Sequence, residues 1–193
     1  MTPTLILFVK EPRPGRVKTR LGRDIGPTAA AWWFRHQTRR LIRRLSRDPR
    51  WNTVLAVAPD REGMESRCWP AHVPRQPQGP GNLGDRMARA LRSAPPGPVA
   101  IIGADIPGIT PTHIARAFRS LGSHDAVFGP APDGGYWLIG LARRRAVPPA
   151  LFAGVRWSSE HALADSRATL PDHSIALVDT LRDVDTVADL DRV

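Results

Sequence analysis

Residues 5–21 read LILFVKEPRPGRVKTRL. The first five are apolar and some are branched at Cβ, which is typical of a buried strand in an α/β sheet. The strand leads directly into a loop in which Pro12, Pro14 and Gly15 restrict and tighten the backbone. The stretch therefore predicts a first strand that delivers a stiff loop to one edge of a sheet.

This loop is strongly cationic. Lys10 and Lys18 are the two lysines of the chain, and all its other basic residues are arginines. Together with Arg16 and Arg20 they supply enough charge to bind a polyanion, such as the phosphates of a nucleotide. A solvated basic loop is the alternative interpretation. Because lysine is retained only here, the pattern favours phosphate binding by a compact, flexible ammonium group.

Length and composition limit the classes of protein. With 193 residues the chain can form one well-cored domain, so we expect a single domain over residues 1–193. A net charge of +10 is compatible with a nucleic acid, an anionic membrane or an acidic substrate, and identifies none of them. Cys68 is the single cysteine, which excludes an internal disulfide and a cysteine-based zinc site. The sequence has no leader-like start and no long apolar run, which predicts a cytoplasmic protein without a membrane span.

Short apolar runs alternate with helical patterns along the chain. This alternation predicts an α/β fold, a three-layer α/β/α sandwich with a mostly parallel central sheet. Further strands are predicted at residues 53–58, 99–102, 126–128, 136–141 and 175–181. Helices are predicted at residues 27–48, 85–91, 110–121, 159–168 and 186–190, and residues 75–84 are predicted to form a loop rich in proline and glycine.

A carboxylate follows the predicted central strand directly. Asp105 comes after the small residues Gly103 and Ala104, and ligands of open α/β sheets collect outside the carboxyl ends of the strands. Asp183 and Asp185 offer further carboxylates at the end of another predicted strand. Oxygen ligands of this kind, close to a phosphate-binding loop, suit Mg²⁺ or Mn²⁺. The alternative is that Asp105 is only a turn residue, and the sequence does not decide between Asp183 and Asp185.

Four motifs together resemble a known family. They are Lys10-x-Pro12-x-Pro14-Gly15-x-Val17-Lys18-Thr19-Arg20-Leu21, Gly84-Asp85-Arg86-Met87, Gly103-Ala104-Asp105-Ile106-Pro107 and Gly129-Pro130-x-x-Asp133-Gly134-Gly135-Tyr136. The chain is thereby similar to the transferases associated with radical-SAM and selenodomain proteins, which belong with the nucleotide-diphospho-sugar transferases of glycosyltransferase-A fold. The resemblance spans residues 5–190 and implies glycosyl transfer from a nucleotide sugar to a small acceptor, with a divalent metal ion.

The resemblance also implies roles for particular residues. Catalytic roles fall to Asp105, Lys18 and Asp133, and metal binding to Asp105 with Asp183 or Asp185. Acceptor binding falls to Asp133, Gly134, Gly135, Tyr136 and Trp157, although an ordinary Asp-Gly-Gly turn is the simpler alternative for part of this set. Nucleotide binding falls to Lys10, Gly15, Arg16, Lys18, Thr19, Arg20, Gly84 and Asp105.

A second reaction is kept open by a related branch, the phospholactate guanylyltransferases. The chain is similar to them around Val9-Lys10-Pro12, around Lys18 to Leu21 and at Asp133-Gly134-Gly135, which implies nucleotidyl transfer from a nucleoside triphosphate to an acidic or phosphorylated acceptor.

Two motifs of the chain depart from the patterns that are usual in these families. The usual Gly-Asp-Leu-Gly has Asn82 at its second position, which weakens a metal role there. A strict Asp-x-Asp pair is replaced by Asp105-Ile106-Pro107, which removes one argument for sugar transfer.

A third hypothesis belongs to another class of protein. The predicted helix from residue 27 carries six arginines, which suits binding to a nucleic acid or an anionic surface. They are Arg35, Arg39, Arg40, Arg43, Arg44 and Arg47. No RNA- or DNA-binding motif accompanies it, and arginine is abundant throughout, so a solvated helix face is the stronger interpretation. The six histidines lack the spacing of metal ligands. The oligomeric state, the base, the sugar and the acceptor stay open.

Overall fold

The computed structural model describes residues 1–190, so the last three residues of the predicted domain lie outside the described range. Seven strands form one sheet within these residues, in the order β3-β2-β1-β4-β6-β5-β7. The strands are β1 (Thr4–Lys10), β2 (Asn52–Ala58), β3 (Arg75–Pro77), β4 (Val99–Gly103), β5 (Ala126–Pro130), β6 (Tyr136–Leu141) and β7 (Ile175–Leu177). Strand β6 runs antiparallel to β4 and β5, and the other neighbours pair in parallel.

Seven helices accompany the sheet within residues 1–190. They are α1 (Thr19–Ile25), α2 (Pro27–Ser46), α3 (Asp60–Glu65), α4 (Leu83–Ser93), α5 (Pro111–Ser120), α6 (Ala162–Ala168) and α7 (Val187–Leu190). None of these helices combines the length and hydropathy that crossing a membrane requires.

Two apolar cores lie on opposite faces of the sheet, because successive strand residues point to opposite sides. Leu5 and Leu7 of β1 pack into the core that α2 and α5 cover, whereas Ile6 packs into the core that α4 and α6 cover. Leu41 of α2 and Leu91 of α4 are completely buried on the two sides. The predicted α/β fold with helices on both faces of a mostly parallel sheet is thus confirmed.

Three elements differ from the sequence-based expectation. The predicted loop over residues 75–84 contains the short strand β3, which pairs with β2 at the edge of the sheet. Helices α1 and α3 were not predicted, since each is short and rich in polar residues. Helix α4 begins earlier than predicted because Asn82 caps it: the Asn82 side chain accepts from Asp85 N, and the Asp85 side chain accepts from Asn82 N.

Two further predicted elements are shorter than expected. Helix α6 begins at Ala162 rather than at residue 159, after Ser158 adopts a left-handed conformation with φ 58°. Strand β7 ends at Leu177 rather than at residue 181. The chain nevertheless continues along β5, because Val178 N donates to Phe128 O and Leu181 N donates to Pro130 O. The segment that carries Asp183 and Asp185 is therefore guided along the sheet towards the carboxyl edge of β4.

Candidate active site

The loop after β1 positions Lys18 at the carboxyl edge of the sheet. Val17 and Leu21 are buried on either side of it and anchor this end of the loop in the core. Lys18 itself has a left-handed backbone with φ 46° immediately before α1. Such a conformation costs a residue with a side chain about 1–2 kcal/mol, so the surrounding packing must hold it in place.

Asp105, Asp183 and Asp185 converge on the same edge. Asp105 lies just beyond β4, which is hydrogen-bonded to β1. The backbone N of Val184 donates to Asp105 O at 3.4 Å, and the Val184 side chain is almost completely buried. Because the residue between them is held in this way, both Asp183 and Asp185 are brought beside Asp105.

Lys18 forms ion pairs with two of these carboxylates. Its Nζ lies 2.7 Å from Asp105 Oδ2 and 2.8 Å from Asp185 Oδ1, and its side chain is only 5% exposed. Arg20 Nη1 lies 3.2 Å from Asp185 Oδ2, with its side chain 71% exposed. The expected proximity of Lys18 to Asp105 at one sheet edge is therefore found. Among the described residues, Asp185 rather than Asp183 is the second ion-pair partner of Lys18.

The cluster changes the acidity of its members. Burial lowers the pKa of Lys18, but Asp105 and Asp185 outweigh this effect and raise the pKa above its ordinary value. Burial and the nearby negative charge of Asp185 raise the pKa of Asp183 to about 6. Lys18 is therefore held charged, whereas Asp183 is the carboxylate that most lacks a compensating cation.

These three carboxylates form a possible metal-binding set. One oxygen from each of Asp105, Asp183 and Asp185 lies within 4.8 Å of the other two, and all three residues are half-buried. Carboxylate oxygens grouped in this way suit a hard divalent cation such as Mg²⁺ or Mn²⁺. The donor set therefore fits the type of metal expected from the sequence.

A cavity of about 240 Å³ opens beside the cluster, and we call it the β4 cavity. It lies between the carboxyl end of β4, the start of β6 and the first turn of α4, with residues 157–159 along one side. Asp105 and Asp183 belong both to the ion cluster and to the cavity wall. Its wall further includes Phe8 and Leu181, which the sequence did not single out, since nothing in their local pattern distinguishes them from core residues.

Most of the predicted acceptor residues line the β4 cavity. Asp133, Gly135, Tyr136 and Trp157 are part of its wall. The ring of Tyr136 packs against that of Trp157, while its hydroxyl is within hydrogen-bonding distance, 3.1 Å, of Ser166 Oγ. Asp133 is exposed, and its Oδ1 accepts from Gly135 N.

Gly134, predicted to bind the acceptor, and Gly84, predicted to bind the nucleotide, are both close-packed against other parts of the chain. Gly134 does not line the cavity; it has φ +83°, and a Cβ there would collide with the backbone of Glu160. A Cβ on Gly84 would lie 2.9 Å from both Phe152 and Trp157, so Gly84 is a close-packing position beneath the aromatic wall. Packing alone therefore explains both glycines.

The remaining predicted nucleotide-binding residues lie on the exposed part of the loop and at the start of α1. Lys10, Gly15, Arg16 and Thr19 are all solvent-exposed, and none of them lines the β4 cavity. Gly15 has φ +73° with no atom within 4 Å of a Cβ built on it. The exposed surface of the loop is therefore not part of the cavity wall.

Comparison with known proteins identifies the family. Residues 41–159, more than half of the chain, match the family described as "uncharacterized protein conserved in bacteria (DUF2064)". The chain belongs to this family. Among curated proteins, none matches the sequence.

A solved relative covers nearly the whole chain. It is a protein of Desulfovibrio desulfuricans G20, provisionally assigned as a nucleotide-diphospho-sugar transferase. The two sequences are 31% identical, with a TM-score of 0.88 over 98% of this chain and 84% of the relative. The expected relationship to proteins of this type is confirmed, whereas the relatives carry no information about radical-SAM partners.

More distant structures share the fold. The 4-diphosphocytidyl-2C-methyl-D-erythritol synthase of Anaerococcus prevotii DSM 20548 is 10% identical, with a TM-score of 0.60 over 98% of this chain and 95% of that protein. Rv0371c of Mycobacterium tuberculosis H37Rv, solved in complex with manganese, is 15% identical, with a TM-score of 0.55 over 100% of this chain and 97% of that protein. At these identities the similarity concerns the fold alone.

Proposed function

We propose that the protein is a nucleotide-using transferase that moves a glycosyl group from a nucleotide sugar to a small acceptor. The observation that carries this proposal is the position of Lys18, which belongs to a cationic loop and is paired with Asp185 and with Asp105, a residue of the cavity wall. The arrangement offers a cationic side for the diphosphate of a donor and a separate chamber for the acceptor. The provisional assignment of the Desulfovibrio relative supports sugar transfer over other uses of a nucleotide.

Lys18 and Arg20 bind the diphosphate in this proposal. A lysine ammonium has three N–H donors, and Asp105 and Asp185 occupy two of them, which leaves one for a phosphate oxygen. The exposed guanidinium of Arg20 adds further charge-assisted hydrogen bonds. These donors stabilise the negative charge that develops on the nucleoside diphosphate as it leaves.

Asp105, Asp183 and Asp185 are the residues that would hold Mg²⁺ or Mn²⁺. When bound, such an ion neutralises phosphate charge as a Lewis acid. The convergence of one oxygen from each carboxylate supports this assignment, as does the manganese bound to Rv0371c, a protein of the same fold. Asp133, which lines the same cavity as Asp105 and Asp183, orients the acceptor hydroxyl.

Nucleotidyl transfer is the second candidate function. It is favoured by the shared fold of 4-diphosphocytidyl-2C-methyl-D-erythritol synthase. In that reaction an acidic or phosphorylated acceptor attacks the α-phosphorus of a nucleoside triphosphate, and pyrophosphate leaves. The cationic loop and the carboxylates would serve either leaving group.

A mass-spectrometric screen separates the two reactions. The protein is incubated with Mg²⁺, pooled acceptors and either nucleotide sugars or nucleoside triphosphates, beside an Asp105→Ala variant and an Asp172→Ala control at an exposed acid. We expect a glycosylated product and free nucleoside diphosphate. The rate should fall about a hundredfold or more in Asp105→Ala, since the metal set and a Lys18 partner are both lost. Acceptor-dependent pyrophosphate release without sugar transfer would establish the second function instead.

A further inference from the structure

The β4 cavity has a wall that is mainly apolar. Phe8, Met87, Tyr136 and Trp157 contribute large hydrophobic surfaces, and the two aromatic rings of Tyr136 and Trp157 meet edge to face. A volume of about 240 Å³ is smaller than the roughly 300–1,000 Å³ of pockets for drug-sized ligands. The cavity therefore suits a compact molecule, or the compact end of a larger one, with an apolar or flat face.

The charged groups of the wall are all acidic. Asp105, Asp133 and Asp183 line the cavity, and no lysine, arginine or histidine is among its described lining residues. The Tyr136 hydroxyl is neutral and lies within hydrogen-bonding distance of Ser166 Oγ, so it adds no charge to the wall. A molecule inside the cavity thus faces three carboxylates and mostly hydrocarbon.

The nearest cation offsets only part of this negative field. Lys18 is 5% exposed and is paired with Asp105 and Asp185, while Arg20 is paired with Asp185 on the solvent side. Lys18 therefore compensates Asp105, whereas neither Asp133 nor Asp183 has an ion-pair partner among the described residues. An anionic group in the cavity would be repelled, and a neutral or positively charged one would be tolerated or attracted.

We propose that the β4 cavity selects a neutral or cationic acceptor, a hydroxyl compound with a compact apolar or ring-shaped body, and rejects carboxylates and phosphates. This inference rests on the proposed transferase function and specifies its acceptor. The acceptor oxygen bonds to the anomeric carbon of the donor sugar, and the bond from that carbon to the diphosphate oxygen breaks with its electron pair. The hydroxyl proton passes to the Asp133 carboxylate. An acidic or phosphorylated acceptor, as proposed for the second candidate function, is disfavoured by the same charges.

Three probes with one body and different charges test the selection. Cyclohexylmethanol, cyclohexylmethylammonium and cyclohexanecarboxylate are titrated into the protein at low salt, and dissociation constants are measured by ligand-observed NMR. The titrations are run with a chelator, and again with Mg²⁺ and a nucleoside diphosphate. We expect the carboxylate to bind about tenfold or more weakly than the alcohol with the chelator. With Mg²⁺ and the nucleoside diphosphate the difference should be smaller but in the same direction, because the ion would offset Asp105 and Asp183 and leave the charge of Asp133. A carboxylate that binds as well as the alcohol in either condition, or no binding by any probe, overturns the proposal.

Two variants locate the effect. Asp133→Asn removes one charge from the cavity and keeps an oxygen that can accept from Gly135 N, so the preference against the carboxylate should shrink several-fold. Asp172→Asn removes an equal charge from an exposed site outside the cavity wall and should leave the preference unchanged. An equal change in both variants would mean that net charge, not the cavity, sets the preference, which contradicts the proposal.

Calorimetry separates this inference from the proposed function. Nucleoside diphosphates are titrated into the same protein with Mg²⁺. If none binds, the transferase proposal fails although the order of the three probes is unaffected. If one binds but the carboxylate probe is preferred, the acceptor inference fails while a nucleotide-using enzyme stands.

Discussion

Two glycine-containing loops border the candidate site, and they are built in opposite ways. The loop after β1 is exposed, and a Cβ on Gly15 would meet no atom within 4 Å. The loop between β5 and β6 is fixed from behind: Gly134 abuts the backbone of Glu160, and its carbonyl accepts from Leu163 N at 3.0 Å. Both loops look like ligand-binding motifs in the sequence. Only the first has open space around its glycine, so the second provides a rigid cavity wall while the first is free to contact a ligand.

The largest expected effect tests the rigid loop. Gly134→Ala should destabilise the fold by about 2–4 kcal/mol, because it combines a collision with Glu160 and an unfavourable φ for alanine. Gly15→Ala, with a similar φ but open space, should cost only about 1 kcal/mol. Urea unfolding of the two variants measures both changes. Equal destabilisation would remove the distinction between the loops.

The next effect tests the cationic loop as a phosphate site. Lys18→Ala and Arg20→Ala should each weaken nucleotide binding by about 1–3 kcal/mol, since each removes a charge-assisted hydrogen bond. Arg43→Ala, at an exposed position of α2, removes the same charge away from the site and is the control. Calorimetry with a nucleoside diphosphate and Mg²⁺ measures the three affinities. Folded variants with unchanged affinity would assign Lys18 to a purely structural role among the carboxylates.

The smallest effect concerns the arginines of α2. Helix α2 is anchored by Leu41, Ile42 and Leu45, and several of its arginines point to solvent. Charge alone does not create a site, whereas Lys18 of the loop after β1 is paired with carboxylates that converge from other segments beside a cavity. We therefore expect no nucleic-acid binding in a gel-shift assay at low salt, where electrostatic association is strongest. A salt-sensitive shift that Arg43→Ala weakens would revive a binding role for this helix.

Much of the fold follows from local patterns that can be read without the structure. Strands β1, β2, β4, β5 and β6 were predicted at nearly their observed positions, because uninterrupted apolar runs are typical of strands buried on both faces. Helix α2 was also predicted, from its Gly26-Pro27 start and its buried stripe. Strand β3 and helix α1 were missed, since their few residues are ordered mainly by contacts with neighbours rather than by their own periodicity.

The candidate site, like the fold, was predicted from the sequence only in part. By itself the sequence predicted that the loop carrying Lys18 and the residue Asp105 lie at one edge of the sheet, because both follow strands of a mostly parallel sheet and the carboxyl ends of such strands share one edge. Only the tertiary structure decided that Asp185 pairs with Lys18, and that Gly134 and Gly84 pack against neighbours. It alone also brought an apolar, acidic cavity beside the ion cluster. These outcomes depend on contacts between residues far apart in the chain, which the order of strands sets and which no local pattern encodes.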